Sequence, residues 1–125
     1  MTLPTDPQAR KDVPVATGFI DYFPLAVAAV AELSRIGNDQ HNPGQPLHWD
    51  RDKSGDESDA LMRHFLERGT NDIDGISHST KVAWRAMALL QKELELELGV
   101  GIALSSVARQ FEFYESKGDI PPESI

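Results

Sequence analysis

Two acidic residues, Asp56 and Asp59, stand three positions apart in a segment whose residues favour a helix. On a helix this spacing puts both carboxylates on one face, where their oxygens can share a divalent ion. Acidic residues in a first helical turn also complement the helix dipole without binding anything. The position alone does not decide between a cation site and simple dipole compensation. Asp59 leads a stripe with Met62 and Leu66, so we expect it to point inward.

Glu32 is a further candidate ligand. It recurs with Leu25, Ala28 and Ile36 at three-to-four spacing, which predicts that its carboxylate faces the interior of a helical domain. A buried carboxylate must be paired, because a lone charge in a low-dielectric interior is costly. A metal ion or a core-facing arginine would pair the buried carboxylate, and a rotated helix would instead expose Glu32 to solvent. These alternatives stay open.

Basic side chains lie near these carboxylates in the sequence, and they could bind phosphate oxygens, arginine as a two-pronged donor and lysine as a point charge. Three of these side chains, His78, Lys81 and Arg85, recur at i, i+3 and i+7, which predicts a cationic strip along one helix. An ordinary solvated surface is the alternative. The residues are Lys53, Arg63 and His64 around the acidic pair, and His78, Lys81 and Arg85 further on.

The remaining histidines and tryptophans are less specific. His41 and His48 bracket a loop, but two histidines without a third ligand at fixed spacing are weak evidence for zinc, so we interpret them as loop or substrate contacts. Trp49 and Trp84 could stack on a base, although tryptophan is more often a core residue, as we expect for Trp84. The sequence contains no GxxxxGK[ST], GxGxxG or GxSxG motif.

The elements that must position these residues are helical. Apolar periodicity, capping residues and glycines predict four helices in an all-α domain, with a long polar loop at 38–55 after the first. The alternation of Glu and Leu at 93–98 would suit a strand, but Leu90, Leu94 and Leu98 continue the helical stripe and favour a helix. The expected organisation is an irregular arm at 1–22, a domain at 23–116 and a loose tail at 117–125. The four helices are expected to run from Pro24 to Gly37, from Asp56 to Gly69, from the N-cap Ser77 to Leu98, and from Ile102 to about Glu115.

Composition narrows the class of protein. The 125 residues are enough for one domain, and a formal charge of -8 disfavours nucleic acid polymers and anionic membranes as partners. Carboxylates that hold divalent cations would still permit a polyanionic nucleotide. The N-terminus lacks a signal-peptide pattern, and the longest apolar run, 23–31, is too short for a bilayer. We therefore expect a soluble, cytoplasmic protein.

Six short runs occur in a specific order along the chain. They are TGFIDYFP at 17–24, AELSRIGNDQHNPG at 31–44, LHW at 47–49, DALMRH at 59–64, DIDGISH at 72–78 and VAWRA at 82–86. Taken together, these runs resemble the dATP/dGTP diphosphohydrolase family, a MazG-like group common in phages, over about residues 10 to 95. Within the family the resemblance is strongest to the (d)GTP pyrophosphohydrolases of phages that replace adenine with 2-aminoadenine.

The resemblance implies a site for Mg²⁺ or Mn²⁺. MazG-like proteins hold magnesium with an ExxE pair on one helix and an ExxD pair on the next. Glu32 matches the first position and Asp56 with Asp59 the second pair, but Arg35 stands where the other glutamate belongs. Asp39 or Glu57 is then expected to compensate, or the substrate phosphates to provide more of the coordination. The resemblance also implies a helical half-bundle completed in a homodimer or homotetramer.

The implied reaction converts a purine deoxynucleoside triphosphate, dGTP in preference to GTP or dATP, into its monophosphate and pyrophosphate. The implied catalytic groups are Glu32 and Asp59 with the metal, and Lys53 and Arg63 on the departing pyrophosphate, aided by Lys81 and Arg85. The purine pocket is expected at Asp21 and Tyr22 and in the loop from Asn38 to Trp49, with His48, His64 and His78 as further substrate contacts.

A non-catalytic helical adaptor, such as a phage accessory protein, is the alternative from a different class. In that case the acidic clusters are only solvated helix caps. Thermal melting with Mn²⁺ and a non-hydrolysable dGTP analogue separates the two, because a ligand at a hundred times its Kd stabilises the folded state by about 2.7 kcal/mol.

Overall fold

The computed structural model describes residues 3–51 and 55–98. Within them the chain forms four α-helices and one π-helical turn, and its only β-type pairing is an isolated bridge between Asn71 and Ser77. The predicted all-α class is confirmed. The fourth predicted helix, from Ile102, lies outside the described residues, as do Lys53 and the tail. The helices are α1 (Pro7–Lys11), α2 (Pro24–His41), α3 (Glu57–Leu66) and α4 (His78–Leu98), and the π-helical turn is Ala16–Ile20.

The segment at 3–22 is more regular than predicted. The Asp6 side chain accepts a hydrogen bond of 2.9 Å from the backbone nitrogen of Ala9, and Pro7 occupies the first turn, so α1 has an ordinary N-cap. The π-helical turn closes with a bond of 2.8 Å from the Asp21 nitrogen to the Ala16 carbonyl. The prediction of an irregular arm was wrong because prolines that suit a helix start were interpreted as helix breakers.

Helix α2 begins at Pro24, as predicted, but runs four residues beyond Gly37 to His41. A glycine inside a helix costs only about 1 kcal/mol relative to alanine, and here the helix continues through it. Helix α3 ends at Leu66, three residues before Gly69, whose φ of 84° explains the change of direction there.

Helix α4 is the scaffold of the domain, since both α2 and α3 pack against it. The Ser77 hydroxyl accepts a bond of 3.3 Å from the Thr80 nitrogen, which confirms the predicted cap. The helix extends to Leu98, so the segment with alternating Glu and Leu is helical, as predicted.

The helices turn different faces inward from those predicted. On α2, Asn38 is buried while Leu25 is 86% exposed and Glu32 is exposed. On α3, Glu57 and Ala60 are buried while Asp59 is exposed. The predictions that Glu32 and Asp59 point inward were therefore wrong. Helix α2 is rotated to expose Glu32, which was one of the open alternatives.

The interior of the described chain is polar. Two apolar side chains are buried, Ala60 and Ala88, against five polar or charged ones. Charged groups enter a protein interior only when paired, so ion pairs between elements contribute to how these helices meet. The five are Asn38, Arg51, Glu57, His78 and Glu95.

No single helix in the described ranges is long and apolar enough to cross a membrane; Pro7–Ile20 and Pro24–His41 pass that test only together, across a bend of 87°.

Candidate functional site

A cluster of charged residues joins α3 to α4. Glu57, whose side chain is 5% exposed, lies 3.0 Å from the Lys92 ammonium through Oε2 and 3.4 Å from the Arg85 guanidinium through Oε1. Asp56 lies 3.1 Å from Arg63 and 3.9 Å from Arg85. Three cations are thus held beside two carboxylates at the first turn of α3. We call Asp56, Glu57, Arg63, Arg85 and Lys92 the α3–α4 ion cluster.

The ion cluster keeps Asp56 ionised. The hydrogen bond from Arg63, with the charges of Arg85 and Arg63, holds the pKa of Asp56 below its usual value, although partial desolvation opposes this. An ionised carboxylate of this kind can orient a neighbouring guanidinium or coordinate a hard cation.

A second polar cluster lies where α3 ends and α4 begins. Nδ1 of His64 is 2.9 Å from Nδ1 of His78, and Nε2 of the buried His78 is 3.5 Å from the Glu67 carboxylate. Burial, together with the nearby charge of Lys81 and of His78, lowers the pKa of His64 and favours its neutral form. We call His64, Asp72 and His78 the histidine cluster.

The turn between α3 and α4 is held against α4 by two ion pairs with Lys81. The Lys81 ammonium lies 2.8 Å from Asp72 and 2.8 Å from Asp74. The hydrogen bond from Lys81, with a second from the Ile73 nitrogen, lowers the pKa of Asp72 to about 2. Burial disfavours the charged form of Lys81, but its bonds to the two aspartates outweigh this and raise its pKa.

A third cluster surrounds the two tryptophans, where the loop after α2 meets α4. The rings of Trp49 and Trp84 meet edge to face at 5.7 Å, and the Arg51 guanidinium lies 4.2 Å above Trp49. Trp84 donates a hydrogen bond of 2.9 Å to the Ser34 hydroxyl on α2. Arg51 also pairs with the buried Glu95 of α4. Trp84 is thus half-buried, close to its predicted place in the core.

Three polar atoms on α2 and the loop that follows it are buried without a hydrogen-bond partner among the described residues: Oδ1 of Asn38, Nε1 of Trp49 and Nε of Arg51. Such groups are rare in folded proteins, because each forfeits about 1–3 kcal/mol of solvation, and they mark places where a ligand or water bonds. Asn38 is one turn after Ser34 on α2. Its side chain therefore lies on the same side of the helix as the Ser34 hydroxyl that accepts the hydrogen bond from Trp84.

The structure brings some predicted site residues together and separates others. Asp56, Arg63 and Arg85 meet in the ion cluster, and His64, His78 and Lys81 meet around Asp72. In contrast, Asp39 pairs with Arg35 at 3.1 Å on the exposed face of α2. Asp21 is exposed and His48 lies beside the Pro46 carbonyl. The predicted cationic strip lies along α4, where Lys81 and Arg85 are paired with carboxylates and His78 lies beside one.

The four carboxylates predicted to bind a metal do not come together in a single chain as one group of ligands. They are those of Glu32, Asp39, Asp56 and Asp59. Among the described residues, the only group of three histidine, aspartate or glutamate side chains with ligand atoms within 4.8 Å of one another is His64, Asp72 and His78.

The sequence interpretation missed four residues of the site. For Lys92 and Glu95 a signal was present, because Lys81, Arg85, Ala88, Lys92 and Glu95 recur at three-to-four spacing and form the face of α4 that packs inward. Arg51 and Asp72 lie outside the helices, where periodicity gives no signal. Polar positions on a helix with a stronger apolar stripe do not ordinarily predict the buried face. The missed residues are Arg51, Asp72, Lys92 and Glu95.

The fold and these clusters define an all-α domain whose helix interface is charged rather than apolar. A family model described as the dATP/dGTP diphosphohydrolase N-terminal domain matches residues 5–113, and the chain belongs to this family. The family name indicates a hydrolase that acts on a deoxynucleoside triphosphate. No curated protein and no solved structure matches the chain.

Proposed function

We propose that the protein hydrolyses dGTP to dGMP and pyrophosphate in the presence of Mg²⁺ or Mn²⁺. The observation that carries the proposal is the α3–α4 ion cluster, where Arg63, Arg85 and Lys92 converge on the first turn of α3. Charged interiors are costly and concentrate at functional sites. The concentration of paired charges at the first turn of α3 is the kind of arrangement that such a site would use.

The three cations of the ion cluster would bind the triphosphate. Their carboxylate partners hold them in place before substrate arrives, so little side-chain entropy is lost on binding. Phosphoryl transfer depends mainly on positioning and on neutralising charge at the leaving group. Arg85, 28% exposed and placed between Asp56 and Glu57, is the best positioned to contact the departing pyrophosphate.

The predicted metal ligands fit a divalent ion in donor chemistry but only in part in geometry. Asp56 and Asp59 offer hard oxygen ligands on the exposed side of α3, and Asp56 is kept ionised. Glu32 and Asp39 lie on the exposed side of α2. In this proposal Asp56 and Asp59 hold the metal together with the substrate phosphates. When bound, the ion would polarise the phosphate and acidify a water molecule.

The buried polar atoms near the tryptophans support a guanine pocket. Nε1 of Trp49 and Nε of Arg51 are donors, which suit the O6 and N7 acceptors of guanine. Oδ1 of Asn38 is an acceptor, which suits the guanine N1 and N2 donors. Adenine presents an amino donor where guanine has O6, so it would leave a buried donor facing a donor. The proposed pocket therefore favours guanine over adenine.

The biological setting rests on the resemblance of the sequence runs to MazZ, the phage (d)GTP pyrophosphohydrolase that feeds synthesis of 2-aminoadenine nucleotides. We propose the same role here. The protein would then act in the cytoplasm of the host cell.

We further propose that the active form contains a second copy of this chain. Helix α4 carries an outward apolar stripe of Met87, Leu90, Leu94 and Leu98. The described chain buries little apolar surface of its own, and an exposed stripe of this kind usually marks an interface.

The test is a panel of the eight common nucleoside triphosphates with Mg²⁺, scored separately for pyrophosphate and orthophosphate. We expect dGMP and pyrophosphate in equal amounts from dGTP, and no turnover in EDTA. Orthophosphate as the sole leaving product, or no turnover of any substrate with Mg²⁺ or Mn²⁺, would overturn the proposal.

A further inference from the structure

We propose that His64, Asp72 and His78 form a binding site for a divalent transition-metal ion, separate from the proposed substrate site. The three residues come from the last turn of α3, the following turn and the first position of α4. Each offers one ligand atom, and these atoms lie within 4.8 Å of one another. His64 is eight residues along α3 from Asp56, about 12 Å at the rise of a helix.

The donor set determines the class of metal. Two imidazole nitrogens and one carboxylate oxygen suit zinc, cobalt, iron or nickel, whereas magnesium prefers oxygen ligands alone. The two Nδ1 atoms are 2.9 Å apart. Two nitrogens that each lie about 2.1 Å from one ion are separated by about 3.0 Å at octahedral angles and about 3.4 Å at tetrahedral angles. The histidines thus need little movement to share an ion.

A carboxylate outside the cluster lies behind one of its histidines. The Glu67 carboxylate lies 3.5 Å from Nε2 of His78, on the side of the ring opposite the shared Nδ1 position. A carboxylate behind a histidine is the usual outer partner of a metal-binding imidazole, because it favours the tautomer whose other nitrogen is free to coordinate. Outside the cluster, the Glu67 carboxylate lies beside His78 and the Asp74 carboxylate shares the Lys81 ammonium with Asp72, while the charges of Lys81 and Arg85 also reach His64.

Asp72 is already oriented. Its two oxygens accept bonds from Lys81 at 2.8 Å and from the Ile73 nitrogen at 2.7 Å, which fix the carboxylate beside the histidines. Each carboxylate oxygen has a second lone pair for a metal. The turn that carries Asp72 is closed by Gly75 at φ 81° and by a bond of 2.8 Å from the Asp72 nitrogen to the Ile76 carbonyl. The site is therefore preorganised in the absence of an ion.

The experiment is a titration of the full chain with Co²⁺, followed by visible absorption, in the presence of excess Mg²⁺. We expect one ion per chain, a cobalt band that Zn²⁺ abolishes, and no competition from Mg²⁺. His64→Gln and Asp72→Asn should weaken binding by more than about 100-fold, since loss of an outer partner alone costs about 10- to 100-fold. Absence of the band, or unchanged affinity in both variants, would overturn the proposal.

Matched controls separate ligation from general effects. Asp74→Asn removes the other carboxylate bonded to Lys81 and leaves the proposed ligands intact, so we expect at most a modest change in Co²⁺ affinity. His41→Gln removes an exposed histidine of α2 and should have no effect. Equal loss in Asp72→Asn and Asp74→Asn would overturn the proposed ligand set.

A proton NMR titration of the unmodified chain keeps the test independent of whether the variants fold. Paramagnetic Co²⁺ should shift or broaden the ring protons of His64 and His78 before those of His41 and His48. Broadening of all four together would contradict a specific site. None of these measurements depends on dGTP turnover, so failure of the proposed function and failure of the metal site are distinguishable.

Discussion

Lys92 of α4 and Glu57 of α3 form an ion pair of 3.0 Å across the helix interface, with side chains 13% and 5% exposed. The pair joins residues 35 positions apart in the chain. Arg85 lies against the same carboxylate, so a single glutamate holds two cations where the two helices meet.

We predict that Glu57→Gln destabilises the fold. Breaking a buried ion pair from one side costs about 3–5 kcal/mol, and because Arg85 remains partly hydrated we expect about 1–3 kcal/mol here. Urea unfolding followed by circular dichroism measures the change. Glu93→Gln, the same substitution at an exposed position of α4, should change stability by less than about 0.5 kcal/mol. Equal effects of the two variants would contradict a structural role for Glu57.

We predict that Arg85→Gln lowers kcat/KM for dGTP by about 100-fold, equivalent to about 2.7 kcal/mol of transition-state stabilisation. Steady-state release of pyrophosphate measures it. Arg68→Gln is the control, because Arg68 lies over the Phe65 ring away from the ion cluster and should leave turnover unchanged. Full activity in Arg85→Gln would exclude Arg85 from binding the leaving group.

We predict that Asn38→Ala reduces the preference for dGTP over dATP by about 10- to 100-fold, since the pocket loses the acceptor for the guanine N1 and N2 donors. The ratio of the two kcat/KM values is the measurement. Ser34→Ala, one turn earlier on α2, removes the hydrogen bond from Trp84 and should affect both substrates alike. A loss of dGTP preference as large in Ser34→Ala would indicate a packing effect rather than base recognition.

The low pKa of Asp72 predicts an acid-sensitive fold. Its folded pKa of about 2 lies below the ordinary value of 3.8, so its contribution to stability is present above about pH 4 and is lost as the pH falls toward 2. Carbon NMR titration of the carboxyl group should show this pKa returning upward in Lys81→Met but not in Lys92→Met. The same pKa in both variants would show that Lys81 is not its cause.

We predict that the protein is an oligomer held together partly by the outer stripe of α4. Leu90→Glu should lower the mass measured by light scattering toward that of one chain, because it buries a charge in an apolar contact. Glu93→Lys, beside the stripe, should leave the mass unchanged. A monomeric unmodified protein would overturn the proposal that a second copy covers the stripe.

The sequence alone determined the features that depend on local chemistry. Pro24 predicted the start of α2, Ser77 the cap of α4, and the stripe through Leu90, Leu94 and Leu98 the length of α4. These succeed because capping and periodicity act over a few residues. The family resemblance also needed only the order of short runs, and the match to residues 5–113 confirmed the family.

Only the tertiary structure decided which face of each helix turns inward. Helix α2 has one stripe through Glu32 and another through Asn38, and periodicity cannot choose between them. The choice depends on partners distant in the chain, such as Lys92 for Glu57 and Glu95 for Arg51. Because these charges satisfy one another only across helices, they lie inside while the apolar stripe of α4 lies outside, the reverse of the usual pattern.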